Sequence, residues 1–226
     1  MKATTYCGLA FLLSLATLSN AQDKIKIEPK WGKDVTQKLK TTGEFEVSGN
    51  KVVFESLTHT LGAMNGDGYS LTIHHECLEI QVEGNAINPP ASDYKVSYEK
   101  GIIAGFEGGI DGSDALRMYL VTHFLVPSKE LTKDEVTKWD IPAVAKLELG
   151  ARTVETTYLG SETVGKKTAY KFKQVMKETK SDLSTDGTFW VTADAHVVKA
   201  EVNFKGLPIP QAGGDAAGKY KVAEVE

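Results

Sequence analysis

The chain has 226 residues, 26 basic and 30 acidic side chains, a formal net charge of −4 and two cysteines. A mildly acidic balance without clustered Lys and Arg excludes a nucleic-acid footprint. The length suits one all-β domain better than two small ones.

The N-terminus, "MKATTYCGLAFLLSLATLSNAQDK", carries one lysine and then an apolar run of about ten residues from Leu9 to Leu18. Ser19 and Ala21 are small residues placed for cleavage before Gln22. Residues 1–21 are therefore expected to be a secretory signal, and residues 22–226 one β-rich domain. The apolar run is shorter than the roughly 20 residues a transmembrane helix needs, so no membrane span is expected after cleavage. Cleavage removes Lys2 and leaves a formal charge of −5. It also removes Cys7, leaving Cys77 as the one thiol, so no intramolecular disulfide can form. An export signal with a single thiol points to the bacterial periplasm or cell surface.

After Lys30 the dominant pattern is alternation, which marks half-buried strands. In "DVTQKLKTTGEFEV" the apolar residues Val35, Leu39, Phe45 and Val47 share one parity. "NKVVFESLTHTL" puts Val53, Leu57 and Leu61 on one face, with Val52 and Phe54 on the other. "GAMNGDG" supplies Asn-Gly and Asp-Gly hairpin signals. A hairpin centred on Asn65 would place His59 opposite Leu71.

The long strand that follows contains "HHEC", residues 74–77. Tyr69, Leu71, Ile73, His75 and Cys77 share one parity, whereas Leu78, Ile80 and Val82 share the other. A parity flip at Cys77–Leu78 predicts a β-bulge or bend, with one histidine facing in and the other out.

"GNAINPPASD" reads as a loop and "YKVSYEKGIIAGF" as a further strand. Between residues 113 and 139 one longer and one shorter helix are expected. Ser113 is a plausible N-cap, Leu116, Leu120 and Phe124 recur at helical spacing, and Pro127 follows. Thr132 and Glu135 have capping-box spacing. Strands return at "ARTVETTYLGSE", "TAYKFKQVMK", "GTFWVTA" and "HVVKAEVNF". The Pro/Gly/Ala-rich segment 206–219 reads as irregular, and "YKVAEVE" as a last edge strand.

Within residues 158–204, "YLGSETVGKKTAYKFKQVMK" and "GTFWVTADAHVVKAEVNF" resemble the later strands of the LolA-like superfamily, the periplasmic lipoprotein carriers. Leu159, Gly160, Glu162, Gly165, Lys166, Phe189, Trp190, Val191, Val198 and Lys199 carry the likeness. Similar strings occur in secreted bacterial proteins of unassigned function. The resemblance implies a curved antiparallel sheet, an incomplete barrel with one or two helices covering its concave apolar face; a β-sandwich is the alternative. It also implies a cavity for an acyl chain or another hydrophobic ligand. The alternating residues 33–61 depart from the N-terminal helix of a carrier.

Imidazole, thiolate and carboxylate suit zinc, so His75 and Cys77, with His59 from the neighbouring strand, are the weak metal candidates. Adjacent strand residues point to opposite faces, which argues against "HHEC" as a chelate. No metal site, cofactor or catalytic residue is assigned. Cys77 on an apolar parity reads as a small buried hydrophobe. Phe189 with Val191, and Tyr170 with Phe172 and Met176, read as core, while Trp190 and Trp139 lie outside the main stripes.

The favoured reading is an exported bacterial protein, not an enzyme, that holds a hydrophobic small molecule, lipid or lipoprotein in its concave face. An envelope interaction or scaffold protein without a cavity is the alternative, and a filled, contiguous core would favour it. A metal-dependent or hydrolytic protein centred on His74–Cys77 is the third.

Overall fold

Sustained alternation of apolar and polar side chains yields very long strands here. The computed structural model describes residues 24–32, 35–109, 113–209 and 212–225; the expected signal peptide lies outside them. In chain order the first strands are β1 (Lys24–Ile25), β2 (Thr36–Val47), β3 (Asn50–Asn65), β4 (Gly68–Val82), β5 (Asn85–Ile87), β6 (Ser92–Glu99) and β7 (Ile102–Gly108). Helix α1 (Ser113–Thr122) follows, then β8 (Leu131–Thr132), β9 (Val136–Ile141) and a 3-10 turn at Ala145–Leu147. The chain ends with β10 (Arg152–Val164), β11 (Lys167–Glu178), β12 (Ser184–Val191), β13 (Val197–Ile209) and β14 (Gly214–Glu224).

All but β1 and β8, which pair with each other, form one 12-stranded sheet in the order β7-β6-β4-β3-β2-β14-β13-β12-β11-β10-β9, with β5 on β4. The sheet is antiparallel and curved, and does not close into a barrel. The incomplete barrel, and not the β-sandwich, is the architecture. Bulges help to bend it. One lies at Leu78, where Ser56 pairs with Cys77 but Glu55 pairs with Glu79, as the parity flip predicts. Others lie at Leu159, at Val198 and between Phe204 and Leu207.

Helix α1 lies over the concave face and joins two apolar clusters. Leu116, Tyr119 and Leu120 pack with Trp31, Leu71, Ile73, Val96 and Ile103. Val121 and Phe124 pack with Phe172, Phe189 and the β13–β14 residues Val202, Phe204 and Tyr220. The Tyr220 hydroxyl donates to the Val121 carbonyl, fastening the helix end to the central strand. Fully burying each such leucine or phenylalanine contributes roughly 1.5–3 kcal/mol.

Several expectations need correction. Thr132–Trp139 is not a helix: Asp134 has φ 63°, outside the right-handed region, and its N–H donates to the Tyr158 carbonyl at 2.8 Å. β8 and β9 form there instead, with β9 paired to β10 as an edge strand. "YKVSYEKGIIAGF" is a hairpin, turning at Lys100 and Gly101, both with positive φ. Segment 206–219 is largely strand, and "YKVAEVE" is central, lying between β13 and β2. Its small residues serve close approach: a Cβ on Gly218 would sit 2.3 Å from the Glu44 carbonyl oxygen. Finally, Asn65 pairs with Gly68 across a Gly66–Asp67 turn, so His59 faces His74 and not Leu71.

Candidate functional site

"HHEC" straddles the sheet. His75 and Cys77 take the inward parity and are half-buried, while His74 is exposed on the outer face. His74 Nδ1 donates to Asp93 Oδ1 at 2.7 Å. Burial lowers the pKa of His75 and raises that of the Cys77 thiol. The thiol lies 3.7 Å from the carbonyl oxygens of Glu55 and Glu79. His59 shares a face with His74, so the sheet separates it from His75 and Cys77. Among the described residues, no group of three or more His, Cys, Asp or Glu side chains is arranged to hold a metal ion.

A hollow on the outer face and another at the free edges of the sheet both mix apolar with charged walls. One, of about 570 Å³, runs along the outer face over β2, β3 and β11–β14. Its walls carry Glu44, Glu55, Glu79, Lys173, Asp186, Glu201, Lys219 and Lys221. Many of these charges pair with each other or with neighbours: Glu44 with both Lys51 and Lys219, Lys173 with Asp186, Lys40 with Glu55. Val53, Phe54, Val202 and Tyr220 also line it, and several of its charges are held in ion pairs.

The second hollow, of about 530 Å³, opens where the two free edges of the sheet approach each other. Ile27 and Pro29 supply one wall, Met64 and Tyr69 the β3–β4 hairpin, and Ile102 the start of β7. Val126 and Pro127 come from the strap after α1, and Trp139 and Ile141 from edge strand β9. Glu28, Lys30, Asp67, Lys100 and Asp140 line it alongside these apolar residues. The volume lies within the roughly 300–1,000 Å³ range of small-molecule pockets, and an apolar lining with a few polar groups is their usual chemistry. The Trp139 indole N–H is buried without a hydrogen-bond partner among the described residues.

Behind this mouth lies a layer of hydroxyls and rings. Tyr69 stacks on Tyr98 at 4.5 Å, and the Tyr98 and Tyr119 hydroxyls meet at 2.5 Å. Burial raises the pKa of Tyr69, Tyr98 and Tyr119 above the usual phenol value. His123 stacks on Tyr119 at 3.5 Å, and its Nδ1 donates to the Tyr119 carbonyl at 2.7 Å. Burial pushes the His123 pKa down to about 4, so the ring is neutral at physiological pH. A small space of about 40 Å³ lies among Trp31, Gln37, Thr60, Tyr98, Tyr119 and His123. The hollow of about 530 Å³ sits at the mouth of the curved sheet.

Sequence reasoning singled out Trp139 but not the mouth, whose walls come from five separated segments. Trp190, its companion outside the main stripes, lies on the outer face. It is buried under Lys171 and Lys199, with its indole N–H donated to Glu162.

No protein-family model matches the sequence, and no curated protein does. Among solved structures, the fold is similar to lipovitellin, described for its lipid–protein interactions, with a TM-score of 0.52 and 7% identity. The match covers 87% of this chain but only 26% of lipovitellin, so the chain spans about a quarter of that protein. At this identity the likeness shows the fold alone. A DUF1329 family protein from Desulfovibrio piger matches over 84% of this chain and 87% of its own, at 10% identity and a TM-score of 0.20. That score carries no argument about fold or function.

Proposed function

We propose that the chain is an exported, non-enzymatic bacterial protein that binds a hydrophobic or lipidic ligand, such as a single acyl chain, at the open mouth of its curved sheet. The observation that carries this reading is the hollow of about 530 Å³ walled by Ile27, Met64, Tyr69, Ile102, Val126, Trp139 and Ile141. Burying apolar ligand surface there contributes roughly 25 cal/mol per Å². Lys30 and Lys100 are among the lining residues and can meet an acidic headgroup. The LolA-like resemblance of residues 158–204 and the lipovitellin-like fold are compatible with a carrier, although neither identifies the cargo.

The test is native mass spectrometry of the exported chain, isolated without detergent and again after exposure to phospholipid vesicles. Excess mass that releases a lipid on denaturation, and is absent from Ile102→Asp, supports the reading. The bare polypeptide mass in both preparations counts against it. One observation favours the second reading, an envelope interaction protein: large apolar clusters of the chain's own buried side chains lie beneath helix α1. Edge strand β9, with Val136 exposed, then becomes the surface to examine.

A further inference from the structure

Three polar side chains line up across the outer face of neighbouring strands. His59 on β3 pairs with His74 on β4, and His74 pairs with Asp93 on β6. Directly opposed residues have Cβ atoms about 4.5–5.5 Å apart and project from the same face. The two imidazoles meet edge to face with ring centroids 6.4 Å apart. The carboxylate of Asp93 can only accept, so the 2.7 Å contact makes His74 Nδ1 the donor. The lone pair of neutral His74 is therefore on Nε2, the nitrogen left free of Asp93. A carboxylate holding one ring nitrogen is the usual support behind a histidine that ligates a metal through the other.

We propose that His59 and His74 form a two-imidazole site for a divalent transition-metal ion of the zinc–copper class, with Asp93 as the group that orients His74. Imidazole suits both ions, and copper(II) binds such nitrogen sites more tightly than zinc. With metal–nitrogen bonds of about 2.1 Å and tetrahedral angles, two ligating rings stand with centroids roughly 5 Å apart. The exposed side chains need to close by about 1 Å to reach it. Water completes the coordination sphere, since only two protein ligands are present. Glu76 lies on the same face two residues beyond His74 and offsets part of the ion's charge, whereas Lys38, paired with His59, opposes it. The site is on the opposite face of the sheet from His75 and Cys77 and does not depend on the mouth being occupied.

The test titrates zinc chloride calorimetrically into chelator-free protein that carries no added histidine tag. One ion per chain is expected, and His59→Ala or His74→Ala abolishes the heat. Asp93→Ala keeps the stoichiometry and weakens binding about 10- to 100-fold, as loss of an orienting carboxylate does. In nitrogen-15 spectra of the rings, zinc should shift His59 and His74 and leave His75, His123 and His196 in place. No binding to the unmodified chain overturns the proposal. So does binding that survives both single substitutions, or shifts confined to the other three histidines.

Discussion

Tyr98 on β6 and Tyr119 on α1 share a hydroxyl-to-hydroxyl hydrogen bond of 2.5 Å in the interior. It ties the helix to one half of the sheet, as the Tyr220 bond to Val121 ties it to the other. Replacing Tyr119 by Phe leaves the Tyr98 hydroxyl buried without that partner, which costs about 1–3 kcal/mol. The double substitution Tyr98→Phe, Tyr119→Phe removes both groups and is expected to cost less than the sum of the singles. Urea unfolding of the four proteins measures the coupling, and additive costs would refute it.

His123 is held neutral. Its folded pKa of about 4 lies below the unfolded value of about 6.5, so between these the unfolded chain binds more protons. Its contribution is thus fully present above about pH 6.5 and is lost as pH falls towards 4, by up to about 3 kcal/mol. His75 and His196 are also shifted down by burial and act with the same sign. Unfolding curves from pH 7 to 4 should show a shallower decline for His123→Gln than for the unmodified chain. An unchanged slope would rule out burial of a neutral ring.

Gly218 sits where β14 crosses close to β2. A methyl group there would lie 2.3 Å from the Glu44 carbonyl oxygen and 2.5 Å from Phe45. Gly218→Ala must therefore move one central strand, and a cost above about 2 kcal/mol is expected from overpacking. A thermal shift of several degrees is the readout, since about 1 kcal/mol corresponds to 2–4 °C at this chain length.

How far the sequence could be read follows from the range of the forces involved. The bulge at Leu78 was legible because a break in period two is local and involves only Cys77 and its neighbours. The inward set of Leu116, Leu120 and Phe124 was legible for the same reason. The first half of β14 was not, because its Gly and Ala residues look like a loop until β2 is placed against them, and the strand at residues 220–224 reads as an edge for the same reason. The His59–His74 pair was missed by a shift in hairpin centre from Asn65 to Gly66–Asp67, which changes every partner along the ladder. The mouth depends on where the two sheet edges end up, and no spacing within Ile27, Met64, Ile102, Val126 and Trp139 encodes that.

Of the three tryptophans, Trp139 alone lines the mouth. Trp31 packs tilted against His196 with ring centroids 4.3 Å apart, and Trp190 faces outward beneath two lysines. An apolar ligand in the mouth should therefore blue-shift the emission of Trp139 without touching the other two. Trp139→Phe removes the ligand-dependent change and should be close to neutral for stability, since it also deletes a buried N–H that lacks a partner. A ligand-dependent shift that persists in Trp139→Phe would place the binding elsewhere.

Arg152 is 2% exposed, and its Nε has no hydrogen-bond partner among the described residues. It faces Glu178 across the β10–β11 ladder, and that carboxylate also accepts from the Gly150 N–H at 2.8 Å and the Ser181 hydroxyl at 2.6 Å. Burial lowers the Arg152 pKa, while the charge of Glu178 opposes that shift. Loss of the opposing charge leaves the buried guanidinium less compensated, whereas an apolar replacement of similar volume for a buried ion is often tolerated. Glu178 keeps two other donors, so its charge stays solvated when the arginine is lost. Arg152→Met is therefore expected to cost less than Glu178→Gln, which strands a buried guanidinium. Denaturant unfolding of both variants decides it. A larger loss in Arg152→Met would mean that the guanidinium stabilises the β10–β11 pairing outright instead of being carried by it.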